Sequence, residues 1–115
     1  MTDVTENDLI KQRKKLQEMM DLWKSMNRLT NNRDFNKVIM TEFMINETAR
    51  FAHVSTDPNL DDKERADALG MAQAAGYLKR YLQVLDQMGK HAEHQISQID
   101  DELEYMRANG EDEEA

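Results

Sequence analysis

The residues of this 115-residue chain best suited to chemistry are three histidines and a large set of carboxylates. His91 and His94 are three apart, with Glu93 between them and Asp86 nearby. On a helix that spacing puts both imidazoles on one side, where zinc or a bundle di-iron centre could use them. A di-iron bundle needs Glu-x-x-His on two helices, and that motif does not occur in the chain. A zinc site would lack its third and fourth ligands. The pair reads better as a pH-sensitive edge of a helix seam. Asp61, Asp62 and Glu64 could suggest calcium, yet the ligand spacing and glycine of a calcium loop are missing. His53 falls near the end of a helix, where a cation is favoured by the helix dipole. The chain has no cysteine, which removes thiol nucleophiles, disulfides and cysteine-ligated metal. It also lacks a Ser/His/Asp arrangement, a glycine-rich phosphate loop and a Walker pattern. The expectation is a non-enzymatic protein with no catalytic residue, no resident metal and no cofactor.

The elements that would position such residues are helices. From Asp61 to about Asn109, heptad positions read Ala68, Met71, Ala75, Leu78, Leu82, Leu85, Gly89, Ala92, Ile96, Ile99, Leu103 and Met106. Their steps of three and four average 3.5 residues, the repeat that holds a narrow apolar seam against a partner helix. A helix over 61–109 spans roughly 70 Å at 1.5 Å per residue, longer than a compact domain of this size. Part of it is therefore expected to project and associate. Up to Met88 the apolar face is wide, with Leu69, Tyr77, Tyr81, Val84 and Met88 flanking the seam. Beyond Gly89 only the seam stays apolar, a coiled-coil pattern. Leu78, Leu82, Leu85, Ile96, Ile99, Leu103 and Met106 are the expected oligomerisation seam. Its mate is either the chain's own first helix, antiparallel, or the same helix of another chain. Gly89 leaves a gap on the seam and a bend between its halves, and Asn109-Gly110 reads as the helix stop.

Two shorter helices precede it. Leu9, Leu16 and Trp23 recur every seven residues in a first helix over about 9–29, capped by Asn7 or Asp8. Its outer face carries Lys11, Arg13, Lys14 and Lys15, read as a solvated face ahead of a phosphate-binding site, or as a mate for the acidic half of a neighbouring chain. Asp34 caps a second helix over about 35–54, apolar nearly all round, and such a helix is a buried one. Phe35, Val38, Ile39 and Phe43, with Trp23, are the expected core. Glu47 and Arg50 can pair across three residues. Pro58 ends this helix, and Asp61 with Glu64 forms a capping box for the third. The fold class is all-α: three helices, a buried central one, and a long C-terminal one forming a bundle or coiled coil. Residues 1–8 are expected to be a flexible N-terminus, 9–109 a single helical domain, and 110–115 a disordered acidic tail.

Composition agrees. A third of the residues are charged, and there are four Gly and one Pro, which favours long helices. Residues 1–58 hold nine basic and nine acidic side chains; 59–115 hold six and fourteen. The net charge of −8 thus belongs to the second half, which argues against direct contact with nucleic acid. The absence of a leader or an eighteen-residue apolar run predicts a cytoplasmic protein that does not enter a membrane.

Over about residues 27–105 the chain resembles small helical proteins of tailed bacteriophages found among structural and packaging genes. The matching residues are Asp34-Phe35-Asn36-Lys37-Val38-Ile39, Phe43, Glu47, Ala49-Arg50, Asp57-Pro58-Asn59-Leu60 and Ala75-Gly76-Tyr77-Leu78-Lys79-Arg80-Tyr81-Leu82. The resemblance implies a viral, non-enzymatic scaffold, connector or adaptor in the host cytoplasm or the virion. It would work as a homo-oligomer or with another viral structural protein. The alternative is a small acidic inhibitor that binds a nucleic-acid-binding host protein.

Overall fold

In a computed structural model, residues 4–114 are described, with 111–114 as backbone alone. The fold is all-α, and no strand occurs among the described residues. Helix α1 is Glu6–Thr30, helix α2 is a continuous run over 33–54, and helix α3 is Asp62–Glu114. None of them is long and apolar enough to cross a membrane. Contacts gather into two compact units. The first unit pairs the chain up to Ser25 with the chain from Asp86 on; the second is Met26–Leu85.

Each helix starts on a polar cap. The hydroxyl of Thr5 accepts from the Asp8 amide (3.1 Å), and the Asp8 carboxylate accepts from the Thr5 amide (3.3 Å). This is a reciprocal capping box, so Thr5 is the cap, Asp8 is its responder, and the helix begins inside the stretch expected to be flexible. Asn32, not Asp34, caps α2, accepting from the Phe35 amide at 2.9 Å. Asp61 caps α3 as expected, with its carboxylate 2.7 Å from the Glu64 amide. That bond lowers the pKa of Asp61, whose carboxylate in turn raises that of Glu64. The Arg65 guanidinium donates to the carbonyls of Asp57 and Leu60 and to the Asp62 carboxylate, tying the preceding turn to the first helical turn.

At its far end α3 does not stop at Asn109-Gly110. It runs on to Glu114, and no glycine adopts positive φ. The acidic segment 110–114 is thus helical; Ala115 and Met1–Asp3 lie outside the described residues.

In the first unit, α1 and the second half of α3 pair antiparallel. Leu9, Ile99 and Leu103 form one cluster, with Leu16 and Met106 packed on it. The Arg13 guanidinium grips the Asp100 carboxylate through two N–H groups, at 2.6 and 3.2 Å, and Arg107 reaches Glu6 at 3.3 Å. Ala92, Ile96, Ile99 and Leu103 are buried. The mate of this part of the seam is therefore the chain's own first helix. Ile96, Ile99, Leu103 and Met106, expected as part of an oligomerisation seam, pack here within the chain.

The second unit contains the larger departure. Between Asn36 and Glu47 helix α2 is π-helical, and the Thr48 amide donates back to Phe43, five residues away. Its half-buried positions come in pairs four apart: Phe35 and Asn36, Ile39 and Met40, Phe43 and Met44, Glu47 and Thr48. A four-residue repeat is longer than the 3.6 of an α-helix. A wider turn closed by i→i+5 bonds keeps those pairs on one face. No side chain of 33–54 is buried. Val38 is 57% exposed and Ile45 is 62% exposed, so this helix is not a buried central one. Phe35, Ile39 and Phe43 are half-buried, and Val38 is not core.

Candidate interaction surface

The side chains singled out for chemistry do not assemble. His91, His94 and His53 are all exposed, and among the described residues no group of three or more potential ligands is disposed to hold a metal ion. The carboxylates with shifted pKa values answer to structural partners. Asp86 is lowered by its bond to Lys90 and then by the Trp23 indole N–H, and Asp100 by Arg13. Glu47 is lowered by Arg50, whose guanidinium carbon lies 4.3 Å above the Phe51 ring centroid. This is the Glu47–Arg50 pair that their spacing predicts.

Gly89 has a different role from the bend expected of it. A Cβ built there would stand 2.0 Å from Cγ of Trp23 and 2.5 Å from its Cβ. Only glycine leaves room for the indole to lie on the α3 backbone. The indole N–H then reaches Asp86 Oδ1 at 2.9 Å, and Lys90 closes on the other carboxylate oxygen at 2.9 Å. Trp23 is thus half-buried, seated in a slot cut for it.

What the geometry leaves open is apolar surface. In the second unit Ala68, Ala75 and Leu85 are buried, and Leu78 and Leu82 are half-buried. Met71, on the same seam, is exposed. A second stripe lies roughly 110° round the helix, counting 3.6 residues per turn. It consists of Gly70, Ala74, Tyr77, Tyr81 and Val84, stepping by four and three, and all five are exposed. Tyr77 is 81% exposed and Tyr81 56%. From Ala68 to Leu85 there is no carboxylate at all, and the only charges are Lys79 and Arg80. Tyr77, Tyr81 and Val84 had been visible in the sequence as apolar flanks of the first seam. The missed signal was their own alternation, a heptad stripe in its own right.

The first unit has an open groove of roughly 560 Å³, floored by Leu9, Leu16 and Ile99 and edged by Gln12, Gln95, Gln98 and a Lys15/Glu102 rim. Its floor is the cluster that already joins the two helices. Lys11 and Lys14 are exposed, while Arg13 is used by Asp100. No protein-family model matches the chain, and no curated protein or solved structure shows significant similarity to it.

Proposed function

We propose that this chain is a non-enzymatic structural or assembly protein, a scaffold, connector or adaptor that works through helix-mediated protein contacts. The observation that supports this is the exposed heptad stripe of the second unit. Two tyrosines and a valine stand in solvent on a regular helix face, and apolar surface of that kind marks a contact site. The setting drawn from the resemblance is the assembly of a tailed phage, in the host cytoplasm or in the virion. The test is the double substitution Tyr77→Asp/Tyr81→Asp, on exposed positions where folding is retained and circular dichroism checks it. Its recovery with capsid or connector particles is expected to fall at least about tenfold, as loss of two aromatic anchors does. Unchanged recovery overturns the proposal.

The second reading, an acidic inhibitor of a nucleic-acid-binding host protein, draws on the segment from Asp86 on. That segment holds ten carboxylates against Lys90 and Arg107. Under that reading, capture of the host protein is lost in high salt.

A further inference from the structure

We propose that the stripe Gly70, Ala74, Tyr77, Tyr81 and Val84 is covered by the same stripe of a second copy of this chain, running antiparallel about an axis at Tyr77. The inference rests on the contact function proposed above and names its occupant.

Four observations carry it. The stripe is graded, with small residues at one end, bulky ones at the other and a tyrosine midway. A twofold contact must be self-complementary. Antiparallel pairing about Tyr77 sets Gly70 opposite Val84 and Ala74 within one residue of Tyr81, small against large on either side of a central Tyr77–Tyr77 contact. Parallel pairing would set Tyr81 on Tyr81 next to Val84 on Val84, and Ala74 on Ala74 next to Gly70 on Gly70, crowding bulk at one end and leaving a void at the other. Second, a Cβ on Gly70 would meet nothing within 4 Å in the lone chain. The chain's own packing thus gives no reason for glycine there, in contrast to Gly89. (Gly76 is equally open, lies off the stripe, and nothing in the structure explains it.) Third, charge permits the pairing. Arg80 falls opposite the neutral Gln73 of the other copy, and the absence of carboxylates over 68–85 removes repulsion between acids in an otherwise acidic chain. Fourth, the area sets the strength. Tyrosines bury roughly 150–250 Å² each when fully covered. Two of them with Val84 and two small residues fall short of the roughly 800 Å² per partner of a standard interface. The contact is therefore weak and concentration-dependent.

Disulfide trapping tests the geometry, because the chain has no cysteine of its own and each introduced thiol is unique. Bridging needs Cα atoms within about 7 Å. Tyr77→Cys alone is expected to give a covalent dimer on mild oxidation. Ala74→Cys and Tyr81→Cys are expected to cross-link only when mixed, since each lies roughly 10 Å along the axis from its own copy. In a second measurement, Gly70→Leu keeps or improves the helix yet fills the space due to Val84 of the other copy. Self-association by sedimentation equilibrium is expected to weaken at least about tenfold. The inference is overturned by a Tyr77→Cys chain that does not cross-link, by Ala74→Cys cross-linking with itself, or by Gly70→Leu self-associating as the parent does. If those results come while Tyr77→Asp/Tyr81→Asp still loses its place in particles, the face docks a different protein. The contact function then stands and this inference alone falls.

Discussion

The two units solve the same problem, how to keep an apolar helix face out of water, with different repeats. In the first, the seam of α3 steps by three and four, and α1 supplies Leu9 and Leu16 at seven-residue spacing to meet it. Both periods match an α-helix, so narrow stripes stay aligned and side chains such as Ala92 and Ile96 become buried. In the second, the half-buried face of α2 repeats every four residues, and the backbone widens to a π-helix to follow it. Alignment is kept, but no side chain of α2 itself is buried, and the buried positions of this unit, Ala68, Ala75 and Leu85, all belong to α3. The matched repeats bury side chains on both partner helices, and the mismatched pair buries them on α3 alone.

The same substitution placed in each unit gives the strongest test of that contrast. Ile99→Asp puts an unpaired carboxylate among Leu9, Leu103 and Met106, and is expected to cost more than about 3 kcal/mol. Ile45→Asp, on the exposed side of the π segment, is expected to change stability by less than about 0.5 kcal/mol. Urea melts followed by circular dichroism measure both, and similar losses would erase the distinction. A smaller effect is expected at the slot. Gly89→Ala gains roughly 1 kcal/mol of helix propensity, but it collides with the root of the Trp23 side chain. Overpacking of that kind costs typically 1–3 kcal/mol, so the net expectation is a loss of about 1 kcal/mol, and a stabilised variant would mean the indole can leave freely. The smallest effect is electrostatic. The Asp100 pKa is held below its usual value by Arg13, so its contribution is present above the unfolded carboxylate pKa of about 3.9. It is lost as pH falls through the lower folded value. Asp100→Asn should therefore melt slightly below the parent at pH 7, with the gap closing toward pH 3. A gap that widened on acidification would contradict the sign.

How far these features can be read from sequence differs by element. Eleven of the twelve α3 seam positions are buried or half-buried, and Met71 is the exception. Long, regular periodicity leaves little freedom about which face turns inward. Which helix covers the seam was open, because Leu9, Leu16 and Trp23 could have met it in the same chain or in another. The π segment was hidden for a different reason. With Val38, Ile45, Ala49 and Ala52 filling the gaps between Phe35, Ile39, Phe43 and Phe51, the face repeat looks like apolar residues all round. Only burial separates the four-residue ladder from its neighbours. The caps were partly legible: Asp61 with Glu64 was, while Asn32 was masked by Asp34, since either side chain could accept the first free amide. Asn109-Gly110 misled because glycine permits a stop without requiring one.

The seat of Trp23 has a practical consequence. It is the chain's one tryptophan, and it belongs wholly to the first unit, so indole emission, excited at a wavelength that tyrosine does not absorb, reports on the α1–α3 pairing and is blind to Met26–Leu85. Far-ultraviolet circular dichroism sees the helices of both. Comparing the two signals during a single melt asks whether the units unfold as one cooperative body or in turn. Coincident curves would mean that α3, which contributes to both, transmits the collapse of either along its length. Separate curves would mean that the two units melt independently, with the indole marking when the first of them has gone.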